Sequence, residues 1–118
     1  MGVDLNAVQA LDLWRGAIVE SVRREAPDLS ARQMALLLTV YLTPPPHTVR
    51  GLAGALNVSK PAITRALARL SEYGLIRRKV DETARRSVLV QRTVKGSVFL
   101  REFGDIIVSA AAGTHSSL

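Results

Sequence analysis

The sequence predicts a mainly α chain with one small β-hairpin, an α+β arrangement, on three observations. Apolar residues recur at spacings of three and four in five separate stretches. Helix caps and breakers such as Ser30, Pro27, Pro44 and Asn57 fall between those stretches. Between Gly74 and Thr93 the pattern changes to short runs of branched residues around a polar centre. At 118 residues, one domain is the natural count.

The first helix is expected across residues 3–25, where Leu11, Trp14, Ile18 and Val22 form a stripe that Leu5 and Val8 precede. Pro27 ends it, because the residue before a proline resists the α region. Ser30 and Gln33 fit a capping box, so a second helix starts there. Met34, Leu36, Leu37, Leu38, Val40, Tyr41 and Leu42 make that helix apolar nearly all round, the mark of a central core element. Three prolines, 44–46, stop it. Thr48 is placed to cap a short third helix with Val49, Leu52, Ala53 and Leu56 on one face, and Asn57 tolerates the left-handed conformation that closes it.

Only Asn57 and Val58 separate that helix from Ser59, the N-cap of a fourth. A short helix, a tight turn and a second capped helix make a helix-turn-helix pattern. The fourth helix runs from Ser59 to about Tyr73, with Gly74 at its C′ position. At 100° per residue, Ile63, Ala66, Leu67 and Leu70 share one face, and Pro61, Ala62, Thr64, Arg65, Ala68, Arg69 and Glu72 the other. LIRRKV and SVLVQRT then read as a two-stranded antiparallel hairpin around the polar tip DETARR. Thr93 can cap a last helix carrying Phe99, Phe103, Ile106, Ile107 and Ala110, and the final GTHSSL is expected to fray.

Hydrophobic residues at 47% and charged residues at 22% exclude a disordered chain. The absence of cysteine excludes disulfides, thiolate metal sites and thiol redox switches. His47 and His115 are too few and too isolated for a metal site, and no cofactor is expected. No nucleophile–base pair or Gly-rich phosphate loop is present, which argues against an enzyme. The opening MGVDLNAVQALDLW does not read as a signal peptide, and no apolar run approaches the ~18–20 residues that span a bilayer. A cytoplasmic protein without a membrane partner is the expectation.

Net charge is +6, and its placement is informative. Residues 1–47 hold four basic and five acidic side chains, and residues 96–118 one and two. Residues 48–95 hold eleven basic against three acidic, a local excess of +8. Such a concentration of one sign points to a polyanionic partner, the alternative being a solvated basic face. The fourth helix suits the major groove of double-stranded DNA, which admits one α-helix. Small residues at its start, Ser59 and Ala62, let the backbone approach, with Pro61 in the first turn. Arg65 can make a bidentate contact to guanine, while Lys60, Thr64 and Arg69 can reach phosphate or base. The competing reading is that the arginines only solubilise the helix by pairing with Glu72, and only Arg69 stands at pairing distance. Arg85 and Arg86 at the hairpin tip could enter a neighbouring minor groove, with Asp81 pairing one of them. Arg77, Arg78 and Lys79 on the first strand would flank the phosphates.

The residues LAGALNVSKPAITR, then L-x-x-x-GLIRR, D-x-x-x-RR and T-x-x-G, resemble the winged helix-turn-helix domain of MarR-type (multiple antibiotic resistance regulator) transcription factors, over residues 30–110. The resemblance implies that residues 59–73 are a recognition helix and 75–93 a wing, and that Asp81, Arg85 and Arg86 occupy the family's wing positions. It implies a DNA-binding core at 30–93 between dimerisation helices at 1–26 and 94–112, in a homodimeric regulator, most simply a repressor, on a pseudo-palindromic operator. A small aromatic acid is a further implied ligand, with Trp14, Tyr41 and His47 as pocket candidates that fit ordinary core or loop as well. Two departures stand out: Ala84 replaces a usual acidic residue, and Arg92 places a charge at a usually packed position, which leaves wing geometry open. The chain also has room for one helix after the wing where the family has two.

Independently of the resemblance, the first and last helices carry apolar stripes that a chain this short cannot easily bury alone. Leu11, Trp14, Phe99, Phe103 and Ile107 are the interface candidates, the alternative being that they close the chain's own core. A rival function keeps the fold but docks the basic face on an acidic protein partner.

Overall fold

The computed structural model describes residues 4–81 and 87–116, with side chains through Gly113. Its elements are α1 (Ala7–Arg23), α2 (Ala31–Leu42), α3 (Val49–Leu56), α4 (Lys60–Glu72), β1 (Ile76–Val80), β2 (Val88–Arg92) and α5 (Val94–Ser116). They fall into two compact units, one of residues 29–99 and one of 1–28 with 100–118.

In the larger unit, every expected cap is in place. Ser30 and Gln33 form the capping box of α2. The Thr48 hydroxyl accepts from Gly51 N–H at 3.0 Å and starts α3. Asn57 takes φ 54°, ψ 48°, and the pair Val58 N–H to Ala53 O and Asn57 N–H to Gly54 O closes α3 behind it. Gly74, at φ 76°, does the same for α4: Leu75 N–H donates to Leu70 O at 3.0 Å and Gly74 N–H to Ser71 O at 2.9 Å.

The core of this unit is Leu36, Leu37 and Val40 of α2, Leu52 of α3, Ile63, Leu67 and Leu70 of α4, and Leu75, Ile76 and Val90 of the hairpin. These residues give α4 the buried face that the spacing predicts. Yet α2 is less enclosed than its composition implies: it buries one side, and Leu42 at its end is 75% exposed. The strands pair antiparallel with Ile76 opposite Arg92 and Val80 opposite Val88. An isolated bridge from Thr48 to Leu89, with Val90 N–H donating to His47 O at 2.8 Å, ties β2 to the start of α3.

The smaller unit pairs α1 with the part of α5 beyond Leu100. Helix α1 is shorter than residues 3–25 because Asn6 and Gln9 form a capping box, and Arg24 is already extended at ψ 150°. Helix α5 is longer than expected, running to Ser116, so the GTHS stretch is helical rather than frayed. Gly16 of α1 faces Ala110 of α5, where a Cβ would make an ordinary contact at 3.5 Å with Ala110 Cβ. The Trp14 and Phe103 rings meet edge to face with centroids 6.3 Å apart.

Candidate nucleic-acid interface

Helix α4 is fixed at both ends before any partner arrives. Ser59 is extended at ψ 152°, its hydroxyl accepts from Ala62 N–H at 3.3 Å, and Pro61 sits in the first turn, where the N–H it lacks is not needed. With one face locked into the core, the remaining side chains are presented in a fixed order. Ser59, Lys60, Pro61, Thr64, Arg65 and Arg69 are exposed.

Ala62 is a correction. It is only 7% exposed, because α2 packs against that side of α4 and the residue faces Ser30–Gln33 across a groove. Counting at 100° per residue placed it outward, but a second helix occupies that direction.

The two arginines of α4 differ in what holds them. Arg69 Nη1 donates to Glu72 at 3.1 Å and its guanidinium lies 5.5 Å from the centre of the Tyr73 ring. The hydrogen bond to Glu72, then the charges of Tyr73 and Glu72, raise its proton affinity above the usual arginine value. Arg65 has no carboxylate within pairing distance among the described residues. The pairing that spacing allowed for Arg69 alone is therefore the one formed.

On β1 the pleat separates residues that the sequence groups together. Arg77 and Lys79 project to one face, opposite Gln91 and Leu89, while Arg78 shares its face with Ile76 and stands opposite Val90. All three are exposed, and with Ser71, Val80 and Val88 they line a groove of about 380 Å³. Arg85 and Arg86 lie outside the described residues. Asp81 N–H donates to Ser87 O at 2.8 Å across the base of that tip.

The root of the hairpin is tied by two residues that sequence reasoning undervalued. The Tyr41 hydroxyl donates to Leu75 O at 2.6 Å and accepts from Thr93 N–H at 2.8 Å. The Thr93 hydroxyl in turn donates to Gly74 O and accepts from Gly96 N–H, capping α5. Gly96 completes the knot, since a Cβ there would collide with the Tyr41 hydroxyl and the Leu75 carbonyl. Arg92 does not loosen this region. Its Nε donates to Val40 O and its Nη2 to Thr43 O, both at 2.9 Å, filling carbonyls that the end of α2 leaves open. Its guanidinium also lies 5.9 Å from the Tyr41 ring centre. The cue for Arg92 was its unusual position, and for Tyr41 its place in the last turn of α2.

Among the ligand candidates, Tyr41 has its hydroxyl spent in this knot. The His47 ring sits 3.1 Å from Thr43 O, and Trp14 belongs to the other unit. Of the interface candidates, Leu11 and Trp14 are 69% and 48% exposed, and Phe99 and Ile107 are half-buried. Phe103 is 5% exposed and closes the chain's own α1–α5 pair, so it is not available as an open surface. Among the described residues there is no group of three metal-ligating side chains, and no helix is long and apolar enough to cross a membrane.

A helix-turn-helix whose second helix is followed by a basic two-stranded wing defines a winged helix-turn-helix protein. The family model of the MarR family matches residues 29–88, and the chain belongs to that family, whose members are DNA-binding transcription regulators and not enzymes. Many solved structures share the fold, among them the following three. A mutant MepR from a multidrug-resistant S. aureus clinical isolate is 20% identical, with 98% of this chain and 85% of that one covered at a TM-score of 0.79. YusO from Bacillus subtilis is 20% identical over 95% and 78%, at 0.77. A second S. aureus MepR mutant, bound to an oligodeoxyribonucleotide, is 22% identical over 94% and 79%, at 0.78. No curated protein matches the chain.

Proposed function

We propose that the protein is a cytoplasmic homodimeric repressor that reads a pseudo-palindromic operator with two copies of α4. The observation that carries this is the exposed row Lys60, Thr64 and Arg65 on a helix capped at both ends and locked by its other face. A preorganised helix of this kind loses little freedom on entering a major groove, and Arg65 has the fork geometry for guanine O6 and N7. Arg77, Arg78 and Lys79 supply charge for the flanking phosphates, and Arg85 and Arg86, in the segment of sequence between the two strands, add two further cations. The oligonucleotide-bound MepR mutant of the same fold supports the reading.

The dimer rests on α1. Ala17 is the only buried residue of that helix, while Val8, Leu11, Trp14 and Val22 are exposed and need a partner surface. Leu11 and Trp14 form the α1 part of that surface, with Ile107 contributed by α5, and Phe99 of the larger unit is a separate candidate. A two-fold dimer sets the recognition helices ~34 Å apart, one turn of DNA, which dictates an inverted repeat.

Selection from randomised duplexes, followed by sedimentation of the complex, tests both parts. The expected result is an enriched inverted repeat bound by two chains. Enrichment of nothing above background rules out the DNA reading, and a monomer across the micromolar range rules out the dimer.

A further inference from the structure

We propose that Arg32 is a DNA-contacting residue, seated beside α4 to hold the backbone phosphate next to the base pair that Arg65 reads. This rests on the DNA reading above and adds a contact to it. The charge distribution along the chain hides Arg32, which lies in the segment where acidic residues outnumber basic ones. The fold sets it on one groove with Arg65 of α4.

The first turn of α2 and the N-terminal half of α4 enclose an open groove of about 450 Å³, lined by Ser30, Arg32, Gln33, Ala62, Arg65 and Ala66. Its floor is two buried alanines, whose single methyls leave the space unfilled. Its rims are two exposed guanidinium side chains on different helices. Ser30 and Gln33 hold one another in the capping box: Gln33 N–H donates to the Ser30 hydroxyl at 3.1 Å, and Ser30 N–H to Gln33 Oε1 at 2.9 Å. The charged donors of the groove belong to Arg32 and Arg65.

Neither arginine has a carboxylate within pairing distance among the described residues, whereas Arg15 and Arg69 pair with Asp12 and Glu72. Two unpaired like charges on one groove repel, and an anion between them relieves that repulsion. A water occupies about 30 Å³, so the groove takes a phosphate with several waters. Phosphate rather than a base edge follows from the position. Arg32 is on the helix beside the probe, and a helix flanking one in the major groove meets the strand at the groove's edge.

The test uses the full chain and a duplex recovered by selection, titrated at ~50–200 mM salt with wild type, Arg32→Ala, Arg32→Lys and Arg65→Ala. Each neutralised phosphate contributes ~0.9 to the log–log salt slope. Arg32→Ala should lower the slope by about that amount, so it loses about 3.5-fold less affinity than wild type over this fourfold range. It should weaken every single-base variant of the duplex by the same factor, and Arg32→Lys should keep the wild-type slope. Arg65→Ala, by contrast, should reorder the base variants. Should Arg32→Ala fold poorly, Arg32→Gln removes the same charge. An unchanged slope, or a reordering of base variants by Arg32→Ala, overturns the proposal and leaves the DNA reading intact. If wild type binds no duplex, the DNA reading itself has failed.

Discussion

Replacing Gly96 with alanine should destabilise the protein by about 3 kcal/mol, although alanine is the better helix former. The magnitude comes from three contributions. Within a helix the exchange by itself gains up to about 1 kcal/mol. Against that, the new Cβ would collide with the Tyr41 hydroxyl and the Leu75 carbonyl and stand 2.7 Å from Tyr41 Cζ. Overpacking of this sort costs about 1–3 kcal/mol. The carbonyl cannot move aside, because Leu75 is pinned by its N–H on Leu70 O. Displacing Tyr41 breaks its bonds to Leu75 O and Thr93 N–H, each contributing about 0.5–1.5 kcal/mol. The net is a loss of about 1–5 kcal/mol, a large part of the roughly 5–15 kcal/mol that holds a typical domain. Gly54→Ala is the internal control, because nothing lies within 4 Å of a Cβ there; it should gain about 0.5–1 kcal/mol. Equilibrium urea unfolding at one fixed chain concentration reads both variants. Tyr41→Phe combined with Gly96→Ala should cost less than the sum of the two, since the hydroxyl figures in both losses. If Gly96→Ala proves as stable as Gly54→Ala, the knot at the hairpin root is not built as described.

Arg92→Ala should cost about 1–3 kcal/mol in the same assay by leaving Val40 O and Thr43 O without their charged donor, and should weaken DNA binding through the displaced hairpin. Asn57→Gly should be neutral or slightly stabilising, while Asn57→Ala should cost about 1 kcal/mol because φ 54° penalises a β-carbon without a compensating polar group. Leu11→Glu places a charge on the exposed stripe of α1 and should shift sedimentation from dimer to monomer with the helical content unchanged by circular dichroism. Arg65→Ala should weaken binding to the selected duplex by about 1–3 kcal/mol and flatten the base preference at one position of each half-site, read by competition titration.

Caps and breakers were legible because their signals are local. Ser30 with Gln33, Thr48, Asn57, Ser59 and Gly74 each act through bonds within a few residues, and each stands where its chemistry requires. Periodicity likewise predicted the buried face of α4. What escaped depends on which element lies beside which. Ala62 was placed outward because nothing in α4 alone shows that α2 lies across it. Arg32 was counted with its neighbours along the chain, whereas the groove it lines is shared with Arg65, 33 residues further on. Arg92 was read as a charge in the wrong place because its acceptors, Val40 O and Thr43 O, lie 52 and 49 residues away along the chain. The Thr93-x-x-Gly96 motif was visible, but its reason, space for the Tyr41 hydroxyl, needed the packed structure.

Fluorescence-anisotropy titration of the full chain against a selected duplex and a scrambled one, repeated across a salt series, reaches the central claim most directly. The account predicts tighter binding to the selected duplex at every salt concentration. It also predicts a steep linear fall of log affinity with log salt, amounting to about 10³–10⁵ between 50 and 200 mM for six to ten phosphate contacts. Equal affinity for the two duplexes, or an affinity indifferent to salt, would contradict it.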